Sequence, residues 1–540
     1  MGKTNILFIV PPVIPIEDLE SDDPRKHSIT NVSISLGLLS ISAYVEKHSD
    51  VAINILDLNV LVAYQQENAA SREWDDFLQA GFRSLELENP PDLIGISAIF
   101  NSNAGYLDSI SKTAKRLWPQ AFITAGGALP TNMTSYVLDS APALDAVVIG
   151  EGERPFLHLV QAEDRERFFE TSPSWMTRKK ISAGFKPEMD FIDDLDEIPF
   201  LKYDLIDFSQ YQKLSPYHGQ KNEANIAAAI MTTRGCPFRC SFCASHSVHG
   251  RKIRLHSSAR VLADIRKLKE VYGVNILLFQ DDNFIVNKSQ ALEILDGVAQ
   301  EDMTIEFPNG LSVMHLDEEL VDALKAAGLK MATLAVESGS ERVLNEIIHK
   351  PYKKLSLVKD VVKLLRRKKL YIRGFLIIGF PGETKAEIDE SVQFMKKVGF
   401  NWVAIYLASP LAGSELYRIC KENNLLLTDD LKNSHYGKSN IRLDHSSPKE
   451  IEEKRYLTNL EVNFVENYDL KNGFPELALI GFQDVISRVP SHAFAYYYAS
   501  KCYTEMGMDT LAENAMGKYF ETIHSSRSWF EYANKFNLPV

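Results

Sequence analysis

The stretch TTRGCPFRCSFC, residues 232–243, carries three of the chain's five cysteines. They stand at Cys236, Cys240 and Cys243 with the spacing C-x3-C-x2-C, beside a glycine and a proline. Three thiolates this close on one loop can face a common point, and the thiolate is the form of cysteine that binds metals. The stretch therefore predicts a bound metal ion or metal cluster.

Two kinds of site suit these cysteines. A structural zinc site of the Cys3His type would take its fourth ligand from His246 or His249. A four-iron, four-sulfur cluster held by three cysteines would instead leave one iron open to a cofactor or substrate. The spacing alone leaves both alternatives open.

Composition excludes several classes of protein. Five cysteines in 540 residues are too few for a disulfide framework, and the isolated Cys420 and Cys502 lie in helical patterns where we expect buried apolar positions. The net charge of −13 argues against a surface that tracks nucleic-acid phosphates. We find neither the apolar length that spans a bilayer nor a signal peptide. We therefore expect a cytoplasmic protein with reduced thiols and no nucleic-acid or membrane partner.

Residues 1–165 alternate short apolar runs with helical patterns. The strand-like runs are NILFIV, VAINILDL, DLIGISAI, AFITAGG and DAVVIG. Strands separated by helices predict an α/β fold, a doubly wound Rossmann-like parallel sheet. Such a sheet binds ligands beyond the carboxyl ends of its strands, where the loops after Val10, Ser97 and Ala125 meet. Residues 166–225 form a polar connector without a sustained period.

A second alternation fills residues 226–425. Its strand-like runs are AAIMTT, NILLFQ, TIEFPNG, MATLAVES, YIRGFLIIG and WVAIYLAS. These runs are too few for a complete eight-fold barrel, so we expect a partial (βα)6 barrel with its chemistry at the carboxyl ends of the strands. The cysteine stretch follows the first of these strands, which predicts that it lies at the barrel mouth.

Residues 426–540 are predicted to be helical. Small and aromatic residues at helical spacing flank Pro490, and this pattern looks like one tetratricopeptide hairpin. One such hairpin cannot form a solenoid by itself. We therefore expect a helical cap that closes the barrel or shapes a substrate site, rather than a peptide-binding array.

The cysteine spacing resembles the cluster-binding loop of the radical S-adenosylmethionine (radical SAM) superfamily. Phe242 stands directly before the last cysteine, and the loop follows the first strand of a six-unit barrel, as in that superfamily. The resemblance implies a [4Fe–4S] cluster on the three cysteines, with its open iron chelated by SAM and with Phe242 beside the cofactor. It also implies an external electron donor of the flavodoxin or ferredoxin type.

Three later motifs are similar to the SAM-binding segments of the same superfamily. FQDDNF (279–284) ends the second predicted strand, where an acidic group meets the SAM amino group. AVESGS (335–340) ends the fourth strand, and GFLIIGFPGET (374–384) ends the fifth, where glycines let the backbone approach adenine. The resemblance implies SAM contacts by Asp281, Asp282, Glu337, Ser338, Gly379 and Pro381.

The first domain resembles the cobalamin-binding domain of the class B radical SAM methyltransferases. The similar segments are ILFIVPP, DLIGIS, AGGALPT and DAVVIGEGERPF. The resemblance implies cobalamin contacts by Ser97, Gly126, Gly127, Gly150 and Glu151. It also implies a structural role for Glu151 and Glu153, the GEGE pair, which would tie this domain to the barrel.

One departure from cobalamin domains matters. Domains that ligate cobalt through histidine carry D-x-H-x-x-G, whereas here Asp57 is followed by Leu58, Asn59 and Val60. We therefore expect cobalamin to bind without a histidine on cobalt. The alternative is a vestigial domain that only covers the barrel.

The family resemblance implies an enzyme that methylates an unactivated carbon, or a phosphinate, of a small-molecule intermediate. Cobalamin would supply the methyl group while a deoxyadenosyl radical removes a substrate hydrogen; we assign no catalytic side chain. The alternatives are a cobalamin-dependent cyclisation or rearrangement and a cobalamin-independent radical SAM enzyme. A zinc-binding tetratricopeptide scaffold would leave the SAM-like motifs unexplained. A transfer-RNA methylthiotransferase would normally carry further cluster cysteines before residue 236, where this chain has none.

Overall fold

The computed structural model describes residues 3–20, 32–67, 73–214, 225–432 and 437–540. The chain divides into two compact units. The first unit contains Met1–Ser215, Ala228–Lys267 and Ser409–His435, and the second contains Pro216–Ala227, Leu268–Ala408 and Tyr436–Val540. The cysteine stretch therefore belongs to the same unit as the N-terminal domain. Residues 215–224 of the predicted connector lie outside the described residues.

The strands and helices follow the predicted alternation. The strands are β1 Thr4–Val10, β2 Val51–Asp57, β3 Leu93–Ser97, β4 Phe122–Gly126, β5 Ala146–Val148, β6 Trp175–Met176, β7 Ala227–Ile230, β8 Thr233–Arg234, β9 Arg254–Leu255, β10 Ile276–Phe279, β11 Thr304–Glu306, β12 Met331–Glu337, β13 Tyr371–Ile378 and β14 Trp402–Leu407. The helices are α1 Ile16–Leu19, α2 Leu36–His48, α3 Leu58–Glu67, α4 Trp74–Arg83, α5 Leu107–Leu117, α6 Ala128–Asn132, α7 Thr134–Ser140, α8 Glu153–Gln161, α9 Arg165–Thr171, α10 Arg178–Ser182, α11 Phe208–Leu214, α12 His246–His249, α13 Ser258–Tyr272, α14 Lys288–Ala299, α15 Glu318–Ala326, α16 Leu355–Arg367, α17 Lys385–Val398, α18 Glu415–Glu422, α19 Pro448–Leu460, α20 Tyr468–Lys471, α21 Pro475–Arg488, α22 Ala493–Glu505, α23 Asp509–Ser525 and α24 Arg527–Lys535.

The sheet of the first unit has the order β2-β1-β3-β4-β5-β6. Its first five strands are parallel, which confirms the doubly wound sheet, and β6 is antiparallel to β5. Leu7 and Ile9 of β1 join one apolar cluster, while Ile6 and Phe8 join another on the opposite face. Both faces of the sheet are therefore buried, as is typical of parallel sheets covered by helices.

The connector after the first domain is more ordered than its sequence pattern predicts. It contributes the sheet strand β6 and the short helices α9, α10 and α11. Trp175 of β6 is fully buried and donates a hydrogen bond from its indole nitrogen to the Pro155 carbonyl at 3.1 Å. Burial of this large side chain, rather than a periodic pattern, holds the segment against the sheet.

The second unit contains parallel strands in two groups. Strand β10 pairs with β11, and β12 pairs with β13, which pairs with β14. Two isolated bridges, Ile305 with Leu329 and Leu311 with Leu334, connect the β11 segment to the β12 segment. The structure has a strand at each predicted barrel position, and the helices α14 to α17 alternate with the strands from β10 to β14.

The C-terminal helices cover the edge of β14. The Asn463 side chain accepts a hydrogen bond from the Val403 amide and donates one to the Val403 carbonyl, both at 2.8 Å. Arg366 donates to Asp469 at 2.5 Å, and Trp402 packs against Phe464. Helices α21 and α22 flank Pro490 as the hairpin prediction requires, so this region supports the expectation of a helical cap.

A buried charge cluster fixes the two ends of the cysteine loop within the first unit. The Glu151 carboxylate accepts hydrogen bonds from Arg254 at 2.5 and 2.8 Å and lies 3.1 Å from the Arg234 guanidinium. Arg234 also donates to Glu153 at 2.7 Å, and Glu153 accepts from Ser40 at 2.5 Å. Arg234 and Arg254 belong to β8 and β9, the two strands on either side of the loop. The predicted structural role of the GEGE pair thus has a direct physical basis.

We predict that Glu151→Gln destabilises the first unit by about 3–5 kcal/mol, because it leaves two buried guanidinium groups without a full partner. The neighbouring cations hold the pKa of Glu151 well below its ordinary value. Its stabilising effect is therefore present above the ordinary glutamate pKa and is lost as the pH falls through the lowered value. Urea unfolding at neutral pH measures the loss.

The control for this prediction is Glu170→Gln, which removes a pair with Lys179 that is more than half exposed on both sides. Exposed pairs contribute roughly 0–1 kcal/mol. If both substitutions lower the free energy of unfolding equally, the buried cluster does not contribute more to stability than the exposed pair.

Candidate cluster and cofactor site

The cysteine loop lies between β8 and β9 and contains little regular structure before α12. Cys243 donates its amide to the Cys240 carbonyl at 3.1 Å, which forms a tight turn between the last two cysteines. Gly235 enters the loop with φ +88°, and a Cβ there would lie 2.4 Å from the Lys252 carbonyl oxygen. The loop therefore needs glycine at its start because the backbone folds back on itself.

The cysteines of the loop have the donor chemistry of a cluster site. Cys236, Cys240 and Cys243 are half-buried and form no disulfide, so a cluster can reach them. Over the described ranges, no group of three or more His, Cys, Asp or Glu side chains converges into a ready-made metal site. The loop thus supplies three soft sulfur ligands, the donor type that both iron–sulfur clusters and zinc accept.

The zinc hypothesis needs His246 or His249 as a fourth ligand, and the structure gives each of them other surroundings. His249 Nδ1 lies 2.7 Å from Glu151 Oε1, inside the buried charge cluster. His246 is partly buried, and this burial lowers its pKa. One candidate fourth ligand is therefore already held by a carboxylate.

The segment after the cysteines is tied to the glycine-rich loop of the first domain. Asn132, at the end of α6, donates to the Ser247 hydroxyl at 2.8 Å. A Cβ at Gly413 would lie 2.3 Å from the Asn132 carboxamide oxygen. The amide of Leu416 donates to the Ser241 carbonyl at 2.8 Å. Three sequence-distant segments thus hold this side of the loop.

Asn59 occupies the position where histidine-ligating cobalamin domains have their histidine. Its side-chain oxygen accepts a hydrogen bond from the Val13 amide at 3.1 Å, and the residue is 3% exposed. Asp57 accepts from the Tyr211 hydroxyl at 2.5 Å and from the Val60 amide at 3.0 Å. Asn59 thus braces the loop after β1, and the binding of cobalamin without a histidine on cobalt stays a prediction.

The carboxyl ends of β3 and β4 form the face predicted to bind cobalamin. Ser97 is half-buried at the end of β3, and Ile99, two residues later, is 50% exposed. An exposed apolar side chain beside a hydroxyl suits a large, flat ligand with polar arms. This face therefore fits a corrin, although Gly126 and Gly127 need no ligand to explain them. A Cβ at Gly127 would lie 2.6 Å from the Ala98 carbonyl oxygen, and one at Gly126 would lie 2.7 Å from Val148 Cγ1.

Gly150 and Glu151 are engaged inside the protein. Gly150 has φ +80° and donates its amide to the Thr131 hydroxyl at 3.0 Å. Both oxygens of Glu151 are taken by Arg234, Arg254 and His249. The expected cofactor contact by Glu151 is therefore corrected to a structural role, because its carboxylate has no free acceptor direction.

In the second unit, the segment after β10 carries a buried polar group that the sequence analysis missed. Asn283 is 5% exposed, and neither its carboxamide oxygen nor its nitrogen has a hydrogen-bond partner in the described part of the chain. Asp281 is 3% exposed and Asp282 is half-buried. A buried carboxamide without partners is costly unless a ligand satisfies it.

Glu337 ends β12 in a strained conformation. It has φ +75°, and the pairing of β12 with β13 shifts register between Leu334 and Glu337. Such an irregularity re-aims a side chain, and strained residues of this kind cluster at functional sites. The Glu337 carboxylate accepts a hydrogen bond from Lys350 Nζ at 3.1 Å, and both side chains are less than 10% exposed.

The Ser338 side chain is bound inside the protein. It is fully buried, and its hydroxyl lies 3.0 Å from the Ser391 hydroxyl of α17. The Ser391 hydroxyl also accepts from the Gly339 amide at 2.9 Å. The Ser338 hydroxyl therefore fastens the end of β12 to a helix, and a cofactor contact by this residue stays a prediction.

The loop after β13 is held by a carboxylate. Glu383 accepts from the amides of Gly379 and Phe380 at 2.7 and 3.1 Å, and burial raises the pKa of Glu383 to about 7. Gly379 has φ +89°, and a Cβ there would lie 3.2 Å from Ile451 of α19. Pro381 follows in the same turn. The glycine permits a backbone path that L-residues rarely adopt, and this path shapes the loop expected to face adenine.

Family models match both halves of this organisation. The model for the radical SAM superfamily matches residues 230–395, and the model for the B12 binding domain matches residues 25–160. A methyltransferase of Pyrococcus horikoshii is 31% identical over 452 residues, 84% of this chain and 90% of the relative. Cytidylyl-2-hydroxyethylphosphonate methyltransferase of Streptomyces wedmorensis is 30% identical over 428 residues, 73% of this chain and 79% of the relative.

Solved structures share the fold. The radical SAM methyltransferase TsrM of Kitasatospora setae, with cobalamin and a [4Fe–4S] cluster bound, matches with a TM-score of 0.64 at 14% identity over 96% of this chain and 99% of that chain. The cobalamin-dependent radical enzyme OxsB matches with a TM-score of 0.63 at 14% identity over 100% of this chain and 82% of that chain. With both domain models and two relatives at 30% identity or more, the chain belongs to the cobalamin-binding-domain radical SAM family of methyltransferases, whose cofactors are a [4Fe–4S] cluster, SAM and cobalamin.

Proposed function

We propose that this enzyme methylates an unactivated carbon, or a phosphinate, of a small-molecule intermediate. The observation that carries the proposal is that the three-cysteine loop and the B12-type sheet fold into one compact unit, joined by the buried cluster around Glu151. A loop that holds the radical chemistry is thus rigidly coupled to the domain that would hold the methyl donor. Such coupling positions reactants without an ordering cost at each turnover.

The cofactors supply the bond chemistry, and the protein supplies position. When bound, the cluster and SAM supply a 5′-deoxyadenosyl radical, and cobalamin supplies the methyl group. Cys236, Cys240 and Cys243 would hold the cluster. Ser97, at the open face of the sheet, would contact the corrin. The protein must also exclude water and competing reactions from these groups.

Several residues of the second unit would hold SAM. The hydrogen bond from Lys350 holds the Glu337 carboxylate in position. Asn283 offers a buried amide nitrogen as a donor and a buried amide oxygen as an acceptor. The turn at Gly379 and Pro381 would lie against adenine. Asp281 and Asp282 stand beside Asn283 and would receive the SAM amino group by charge-assisted hydrogen bonds.

The proposal also includes an external electron donor and a cytoplasmic location. Cysteines without disulfides suit a reducing, cytoplasmic setting, where a flavodoxin- or ferredoxin-type donor would reduce the cluster. No helix within the described ranges is long and apolar enough to cross a bilayer.

A cyclisation or rearrangement is the second candidate. Among the relatives, an anaerobic magnesium-protoporphyrin IX monomethyl ester cyclase of Cereibacter sphaeroides is 26% identical over 314 residues. Mass spectrometry separates the two functions, because methylation adds a CH₂ unit to the substrate and cyclisation does not.

We predict that replacing Cys236, Cys240 and Cys243 together with Ala removes the cluster and abolishes 5′-deoxyadenosine formation. The loop has no other sulfur donor to take their place. Iron and sulfide analysis of anaerobically purified protein, followed by product detection, measures both effects. Cys502→Ala, at a buried helical position, is the matched control and should keep the cluster. Stoichiometric zinc without iron in the unchanged protein would falsify the assignment.

We predict that Glu337→Gln and Asp282→Asn each weaken SAM binding about 10- to 100-fold, which corresponds to the loss of one charge-assisted hydrogen bond of ~1.5–3 kcal/mol. Equilibrium binding of SAM to the reconstituted enzyme is the measurement. Glu346→Gln, at a carboxylate that is 67% exposed, is the control and should bind SAM normally. Unchanged affinity in the first two variants would identify them as ordinary strand-end carboxylates.

We predict base-off cobalamin with no histidine nitrogen coupled to Co(II), because Asn59 replaces histidine and is bound to the Val13 amide. Electron paramagnetic resonance of the reconstituted enzyme tests the coordination directly. Corrinoid uptake is measured separately by absorption of the released cofactor. An enzyme that cleaves SAM but takes up no corrinoid would be a cobalamin-independent radical enzyme with a vestigial first domain.

A further inference from the structure

Arg373 lies on β13, the central strand of the β12-β13-β14 sheet in the second unit. Burial alternates along β13, so that Arg373 and Phe375 share the less buried face. A Cβ at Gly310 would lie 3.3 Å from both Phe375 Cε2 and Ala335 Cβ. The segment after β11 and the strands β12 and β13 therefore face one another on this side, and Arg373 points to the same interior.

The Arg373 guanidinium makes no close contact with a carboxylate in the described part of the chain. It forms no hydrogen bond or ion pair with a described residue, and its Nε is buried without a partner. Arg366, in the helix just before β13, is instead held by Asp469 at 2.5 Å and by the Gly399 carbonyl at 2.8 Å. Because a buried N–H without an acceptor is costly, the partly buried Arg373 side chain is suited to an anion from outside the chain.

Two groups from neighbouring strands stand within electrostatic range of Arg373. They are Glu306 at the end of β11 and Tyr406 on β14. Burial raises the pKa of Glu306 to about 8, although Arg373 opposes the shift. Burial thus disfavours the charged form of this carboxyl, and no hydrogen bond or ion pair joins it to Arg373. Tyr406 is 47% exposed, so this part of the interior is open rather than filled.

We propose that Arg373 binds an anionic group of the substrate, a carboxylate, phosphate or phosphonate, and thereby orients the substrate inside the barrel. The guanidinium fork suits such groups because it can donate two parallel hydrogen bonds. The inference deepens the proposed function and rests on it, since it names the substrate class of the same site.

SAM itself carries a carboxylate and is the other possible source of the anion. The residues proposed to hold SAM lie at strand ends, whereas Arg373 precedes Ile378, the last residue of β13, by about 16 Å along the strand. This depth favours the substrate over SAM. The experiment below separates the two sources.

The test uses full-length, anaerobically reconstituted enzyme with Arg373→Gln, Arg373→Lys and the control Arg418→Gln, a surface residue paired with Glu422. Methylphosphonate and acetate serve as anionic probes, and dimethyl methylphosphonate is the neutral counterpart; binding is followed by NMR line broadening. SAM affinity and substrate-free 5′-deoxyadenosine formation are measured on the same samples.

We expect the unchanged enzyme and Arg418→Gln to bind at least one anionic probe and not the neutral ester. Arg373→Gln should weaken anion binding about tenfold or more while SAM affinity stays within about twofold. Arg373→Lys keeps the charge without the fork and should retain part of the binding, and it carries the test if Arg373→Gln does not fold.

Two results overturn the inference. Equal probe binding by the unchanged enzyme and Arg373→Gln shows that the anion site is elsewhere or absent. Parallel loss of SAM affinity assigns Arg373 to the SAM carboxylate. Failure of the proposed function is distinct from both, because it appears as missing corrinoid uptake or missing 5′-deoxyadenosine in the unchanged enzyme, whatever the probes do.

Discussion

The carboxylate of Glu151 holds the cysteine loop in place. It contacts Arg234 before the loop and His249 and Arg254 after it, so one buried anion gathers both ends. Removing such an anion leaves several buried cations without compensation, and the geometry is therefore strongly specified. Between these ends the loop has little regular structure, so the thiols can adapt to a cluster while the position of the loop stays fixed.

The alternation of apolar runs predicted the parallel sheet, the strands of the barrel and the helices between them. This success has a simple cause, since a doubly covered strand must be apolar along its whole length. The sequence could not show that residues 228–267 join the first domain, because that depends on contacts of Arg234 and Arg254 with residues some eighty to a hundred positions away. Strand β6 was missed for a related reason: two residues are too short for a periodic signal.

The sequence motifs of the candidate site lie at the strand ends where they were predicted, but the contacts of single side chains were not predictable. Glu337 stands where its motif places it, but its partner Lys350 lies thirteen residues later and carries no signal of its own. Ser338 belongs to the same motif and yet bonds to Ser391 of a neighbouring helix. Asn283 stands out because its buried carboxamide has no hydrogen-bond partner among the described residues. Burial and missing partners can be recognised only in a three-dimensional structure. Glycine is similarly ambiguous, since the chain's own carbonyls explain Gly127 and Gly235.

The contact of Asn463 with Val403 has a consequence for the exposed edge of β14 during folding. One carboxamide satisfies both backbone groups of an edge residue, as a neighbouring strand would do. Until residue 463 leaves the ribosome, that edge of β14 offers an open template to any extended segment, its own or another chain's. Once the asparagine docks, strand addition at this residue is blocked, so the C-terminal helices act as a safeguard against intermolecular sheet formation.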